Sequence, residues 1–155
     1  EKLISDVSNN QVYLNTKAIE ENKLDEEKVK EFLIKELNKD QSVLFAVDMK
    51  KVAASSIPEP LKTRIINGYN WQRSGDIQMI FHDSWLPSYS KKGTTHGAWN
   101  SYDAHIPLIF MGTGIQKGES NKLYNMTDIA PTLSALLKIE FPSGNIGNPI
   151  IEVLK

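Results

Sequence analysis

The side chains in this chain best suited to hold a metal or move a proton near neutral pH are three histidines, His82, His96 and His105. By residue type alone, each is more readily a hydrogen-bonded structural group or a surface side chain, so their surroundings must separate them. His96 stands in Gly93-Thr94-Thr95-His96-Gly97, where small neighbours let a metal or phosphate approach and hydroxyls hold the ring in one tautomer. His105 adjoins an apolar run and reads as a fixed, partnered side chain, while His82 closes a predicted strand. Asp103 and Asp128 are the nearest carboxylates in sequence, and either could accept an imidazole N–H. A helix cap accounts for Asp128, and a turn before a strand accounts for Asp103. Thr95, Asp103 and His105 are therefore candidates for orienting His96. A metal or acid-base centre needs more convergent donors than this set supplies. The sequence holds no glycine-rich phosphate loop, no H-E-x-x-H pair and no G-x-S-x-G elbow.

The elements that must position these residues can be read from periodicity. Gln11–Leu14 predicts a short strand, with Asn15-Thr16 as a turn or helix start. Between Asp25 and Asn38, Val29, Phe32, Leu33 and Leu37 recur at helical spacing, with acidic residues at the start and lysines near the end. The charged remainder of that helix reads as a solvated face. Residues 42–47 and 77–81 predict two further strands, and 58–66 a second helix stopped by Asn67-Gly68. The order strand-helix-strand-helix-strand over 11–82 suits a small α+β lobe. Residues 83–104 read as a long loop that carries His96. Ile106–Met111 is a continuous apolar run, the pattern of a strand covered on both faces, with Pro107 at its start or on an edge. Thr127 to Pro131 can open a helix whose inner face is Leu133, Leu136 and Leu137, and 150–154 predicts a short strand or helical turn.

Composition bounds the partners. The chain has 155 residues, about 40% of them apolar, enough to bury a core in one domain or two small lobes. Eighteen basic against nineteen acidic residues leave a net charge of -1, so neither nucleic acid nor an anionic membrane is an expected partner. The lack of cysteine excludes disulfides and thiolate chemistry without fixing a compartment. No stretch reaches the roughly 18 to 20 apolar residues of a membrane helix. A start at Glu1 rather than Met favours a processed or excised segment.

The run from Gly93 to Gly112, with Tyr124-Asn125-Met126-Thr127-Asp128-Ile129-Ala130-Pro131-Thr132 and Ile146-Gly147-Asn148-Pro149, resembles the C-terminal portion of the bacterial PafA-type alkaline phosphatases. These belong to the alkaline phosphatase superfamily, beside the nucleotide pyrophosphatase/phosphodiesterases. The resemblance extends upstream through Asn70-Trp71-Gln72-Arg73-Ser74-Gly75-Asp76-Ile77 to Asn10-Gln11-Val12-Tyr13-Leu14, and so covers nearly the whole chain. It implies an α/β fold class: an inserted α+β lobe over 1–88, then over 89–155 the last strand, helix and metal-ligand loop of an alkaline-phosphatase-like core.

It also implies two zinc ions about 4 Å apart that activate a threonine or serine nucleophile and clamp the transferring phosphoryl group of a phosphate monoester. The histidine of the threonine-histidine-glycine block is a zinc ligand in that family, which gives His96 that role. The nucleophile and the other ligands match nothing in this chain and lie upstream in the family, so the rest of the polypeptide is the implied partner and the segment alone is expected to be silent. A periplasmic or exported parent is implied. Ala98, Ser101 and Ala104 replace serine, proline and threonine common in the family and remove possible hydroxyl contacts near His96. A phosphodiesterase of the same superfamily and a non-catalytic interaction module are the alternative readings.

Overall fold

The computed structural model describes residues 2–86, 92–93 and 96–154. Thr94 and Thr95 lie outside them, and with them the expectation that Thr95 orients His96. The chain divides into two compact units, Glu1–His105 and Ile106–Lys155.

The first unit is an open four-stranded antiparallel sheet in the order β1-β2-β4-β3, formed by β1 (Ile4–Ser8), β2 (Gln11–Leu14), β3 (Val43–Asp48) and β4 (Ile77–Phe81). The hairpin between β1 and β2 turns on Asn9 and Asn10, both at positive φ (50° and 60°), the backbone that a two-residue turn needs and asparagine tolerates. β1 was not expected. Its Ile-Ser-Asp-Val-Ser stretch is mostly polar and stands at the sheet edge, where only one neighbour has to be satisfied.

Helix α1 (Thr16–Glu21) is capped by the Asn15 side chain, which accepts from Ala18 N–H at 3.1 Å. Helix α2 (Glu26–Leu37) is capped by Asp25, whose Oδ1 accepts from Glu27 N–H at 2.9 Å. Helix α3 (Leu61–Gly68) follows a 3-10 turn at Met49–Ala54. Because side chains alternate along a strand, the sheet carries two apolar clusters. Val12, Val43, Ala46, Ile77 and Met79 pack with Leu33, Ile34 and Leu37 of α2. Met49, Val52, Ile57, Leu61 and Ile80 form the other cluster, joined by Ile65, Tyr69 and Trp99.

Two details of α2 differ from its predicted face. Phe32 is exposed, and Lys30 is buried at 2% exposure, so the inward stripe runs 30, 33, 34 and 37 rather than 29, 32, 33 and 37. The lysine is tolerated because its ammonium meets Asp48 Oδ2 at 3.0 Å, in ion-pair range without hydrogen-bond alignment, and contacts Glu27. Lys51 meets Glu27 at 2.5 Å. The charged side of α2 is therefore not simply solvated.

The second unit holds a 3-10 turn at Met126–Asp128, helix α5 (Ile129–Leu137) and a last 3-10 turn at Ile151–Val153, the helical alternative for the tail. Within its described residues there is no strand. The expected strand over 106–111 is irregular and open to solvent, with Ile109 at 83% and Met111 at 95% exposure. A strand is held by a neighbour's backbone, and this unit offers none. Likewise α5 turns Leu133 and Leu137 outward and buries Pro131, Thr132 and Ser134 instead. Both differences have one cause: the unit contains no sheet for these apolar groups to cover.

Candidate metal-ligand loop

His96 lies exposed between Gly93 and Gly97, which adopt φ of +121° and +108°. Nothing would crowd a Cβ at either position, so glycine serves the backbone conformation rather than a close approach. The chain just after His96 is pinned. Asp103 Oδ2 accepts the N–H groups of Gly97 and Ala98, both at 2.6 Å. Asp103 is held in turn by the single-turn helix α4 (Ser101–Ala104), whose Asp103 and Ala104 N–H groups donate to Asn100 O at 3.0 and 2.8 Å. Two further bonds tie this segment to the end of β4. Trp99 Nε1 donates to Phe81 O at 3.3 Å, and Ser84 N–H donates to Tyr102 Oη at 3.2 Å.

The sequence candidates are thus placed unequally. Asp103 acts on the loop through backbone amides. His105 is exposed at the end of α4, and His82 is exposed just after β4, its N–H bonded to Ser42 O at 2.9 Å. Among the described residues, no three histidine, aspartate or glutamate side chains converge to hold a metal.

Asp128 is more than a cap. Its Oδ2 accepts Asn125 N–H at 2.8 Å and its Oδ1 accepts Asn148 N–H at 2.9 Å, while Thr132 Oγ1 donates to Asp128 O at 2.6 Å and accepts Ile150 N–H at 2.9 Å. Gly147 completes the joint, because a Cβ there would lie 2.1 Å from Thr127 O. The Thr-Asp-Ile-Ala-Pro-Thr and Ile-Gly-Asn-Pro blocks are one polar clasp. Their spacing in sequence, about twenty residues, concealed it.

Sequence reading also passed over a cavity of about 370 Å³ beside the pinned loop, bordered by α3, β4 and residues 97–104. Arg64, Trp85, Trp99 and Asn100 lie in its wall. No periodicity marks such a place, since its residues come from five separate segments.

The relatives that match this chain, with its glycine-flanked histidine and its polar clasp, are named alkaline phosphatases in two cases. The chain matches part of an enzyme of that kind, the PafA type, in both sequence and fold. It is 56% identical over 154 residues to alkaline phosphatase PafA of Elizabethkingia meningoseptica, 99% of this chain and 28% of that protein. It is 51% identical over 149 residues to alkaline phosphatase PhoV of Synechococcus elongatus, covering 27% of it, and 51% over 154 residues to a protein of Myroides odoratus named a calcium-transporting ATPase. A crystal structure of wild-type alkaline phosphatase PafA superimposes with a TM-score of 0.97 at 55% identity, over all of this chain and 30% of that one. The chain thus spans under a third of the length of the relatives it matches. No family model matches it.

Proposed function

We propose that this chain is the C-terminal portion of a PafA-type alkaline phosphatase, an exported, zinc-dependent enzyme that hydrolyses phosphate monoesters. The near-identity of fold to PafA, a TM-score of 0.97 at 55% identity, carries this reading. Residues 1–88 form a lobe inserted in the parent's core, and 89–155 belong to that core. His96 supplies one ligand to a metal pair whose other donors, with the nucleophile, lie in the remainder of the polypeptide. The metals, when bound, activate the nucleophile and stabilise the leaving oxygen. Asp103 is a positioning residue: by holding the Gly97 and Ala98 amides, it fixes the backbone from which the His96 ring projects. His105 is a weaker candidate for the same task. The apolar run 106–111 and the outward leucines of α5 support a core completed by the rest of the polypeptide, since contiguous exposed apolar surface marks a buried interface.

The test uses the full-length parent. His96→Ala is expected to lower bound zinc and monoester turnover by orders of magnitude, whereas His82→Ala does little; equal effects would sink the ranking. The relative named as a calcium-transporting ATPase and the phosphodiesterase alternative are separated in the same assay. Simple monoesters should outpace both diesters and calcium-stimulated ATP turnover. The isolated chain should be inactive, since one imidazole cannot hold zinc against water.

A further inference from the structure

We propose that the cavity between α3, the end of β4 and the pinned loop receives the nucleoside end of a phosphate monoester, so that nucleoside monophosphates are a favoured substrate class. This rests on the phosphatase reading above. At about 370 Å³ the space falls in the range of small-molecule sites. Its floor is apolar, drawn from Met49, Leu61 and Ile80 of the second core cluster. Two polar groups in its wall are unspent. Asn100 is 6% exposed and stands at the N-cap of α4, yet its side chain does not cap that helix and has no partner among the described residues. Its amide keeps one donor and one acceptor at the cavity wall, and a ligand edge offering the complementary pair would bond it, as a nucleobase does. Arg64 has no ion pair among the described residues, and a guanidinium at the rim can stack on a ring or bond its acceptors.

The aromatic wall points the same way. Trp99 spends its N–H on Phe81 O, which fixes the indole without using its faces, and Trp85 also lines the space. Base-on-aromatic stacking is available to any base, since every base has a π-face. Gly97 and Ala98, the residues clamped by Asp103, also border the cavity. A bound base therefore rests against the segment that follows His96, and the phosphate end can extend toward the metal ligand.

The experiment compares adenosine monophosphate with glycerol phosphate in the full-length, metal-loaded enzyme, and measures adenosine binding separately by quenching of tryptophan fluorescence. Arg64→Ala and Asn100→Leu should each lower the ratio of kcat/KM for the nucleotide over glycerol phosphate about tenfold, chiefly through KM, and weaken adenosine binding by a similar factor. Should Asn100→Leu fail to fold, the exposed Arg64→Ala decides alone. Equal losses on both substrates, or no adenosine binding by the wild-type enzyme, would overturn the proposal and mark the cavity as filled by another part of the polypeptide. If adenosine binds and Arg64→Ala weakens it while no monoester is hydrolysed, the cavity stands and the phosphatase reading falls.

Discussion

The two units bury opposite kinds of group. The first closes two apolar clusters on the faces of its own sheet, and the charge it buries, Lys30 with Asp48, is paired. The second is held by a clasp of carboxylate, hydroxyl and amides around Asp128 and Thr132, while its large apolar side chains from Ile106 to Met111 and on α5 face outward. Hydrophobic burial drives folding and is non-directional, whereas a polar clasp contributes modestly and mainly fixes geometry. The first unit thus covers much of its own apolar surface, whereas the second leaves large apolar side chains uncovered.

The largest test of this contrast separates the units. Residues 2–105 expressed alone should unfold cooperatively in urea, whereas 106–154 alone should bind a hydrophobic dye and lack a sharp transition. A cooperative transition in the second piece would break the comparison. Next, Lys30→Ala leaves Asp48 buried without its main partner and should cost the first unit roughly 3–5 kcal/mol by denaturant unfolding. Lys30→Met should cost less, because the stem's packing is kept. Gly147→Ala drives a methyl into the Thr127 carbonyl, and should loosen the second unit by roughly 1–3 kcal/mol, read as faster amide exchange at Asn148 and Ile150 while the first unit's exchange is unchanged.

Asp103→Ala frees two amides and should lower zinc occupancy of the full-length enzyme about tenfold, with Asp103→Asn intermediate. The smallest expected effect is in acid. Glu27 is held down to about 2 from 4.5 by hydrogen bonds from Lys30 and Lys51, and Glu152 to about 2 by Lys122. A carboxyl depressed on folding stabilises fully above its ordinary value, and that contribution is lost as pH falls from about 4.5 towards 2. Acid titration followed by circular dichroism should show both losses in that window. Added salt should remove the Glu152 part first, because Lys122 is exposed and Lys30 is not. The Lys30 ammonium behaves in the opposite sense. Burial disfavours its charge, but Glu27 and Asp48 outweigh that and raise its pKa, so its contribution is complete below the ordinary lysine value and fades only above it.

Much of the first unit was legible because its elements carry local signals. The acidic start of α2 and the short apolar stretches of β3 and β4 are statements about neighbours in sequence. What escaped was non-local. Lys30 reads as solvated until Asp48, eighteen residues on, takes its charge, and β1 reads as loop until the Asn9-Asn10 turn brings it beside β2. At the candidate site, the flanking glycines and the resemblance to a family motif singled out His96 as a candidate ligand. The task of Asp103 was not, because a carboxylate bonded to amides five and six residues back leaves no periodicity.

The sequence by itself determined which residue types were available: a histidine on a glycine-bracketed loop, no thiols, too few carboxylates nearby for a complete metal site, and apolar runs in need of cover. Only the tertiary structure decided which of them meet. It spent Asp103 on backbone amides and Asp128 on a clasp, opened a cavity between segments remote in sequence, and left 106–111 without a partner strand in its own unit. The physical reason is that propensity and periodicity act over a few residues, whereas hydrogen-bond satisfaction and apolar cover are settled by whichever surfaces the folded chain brings together.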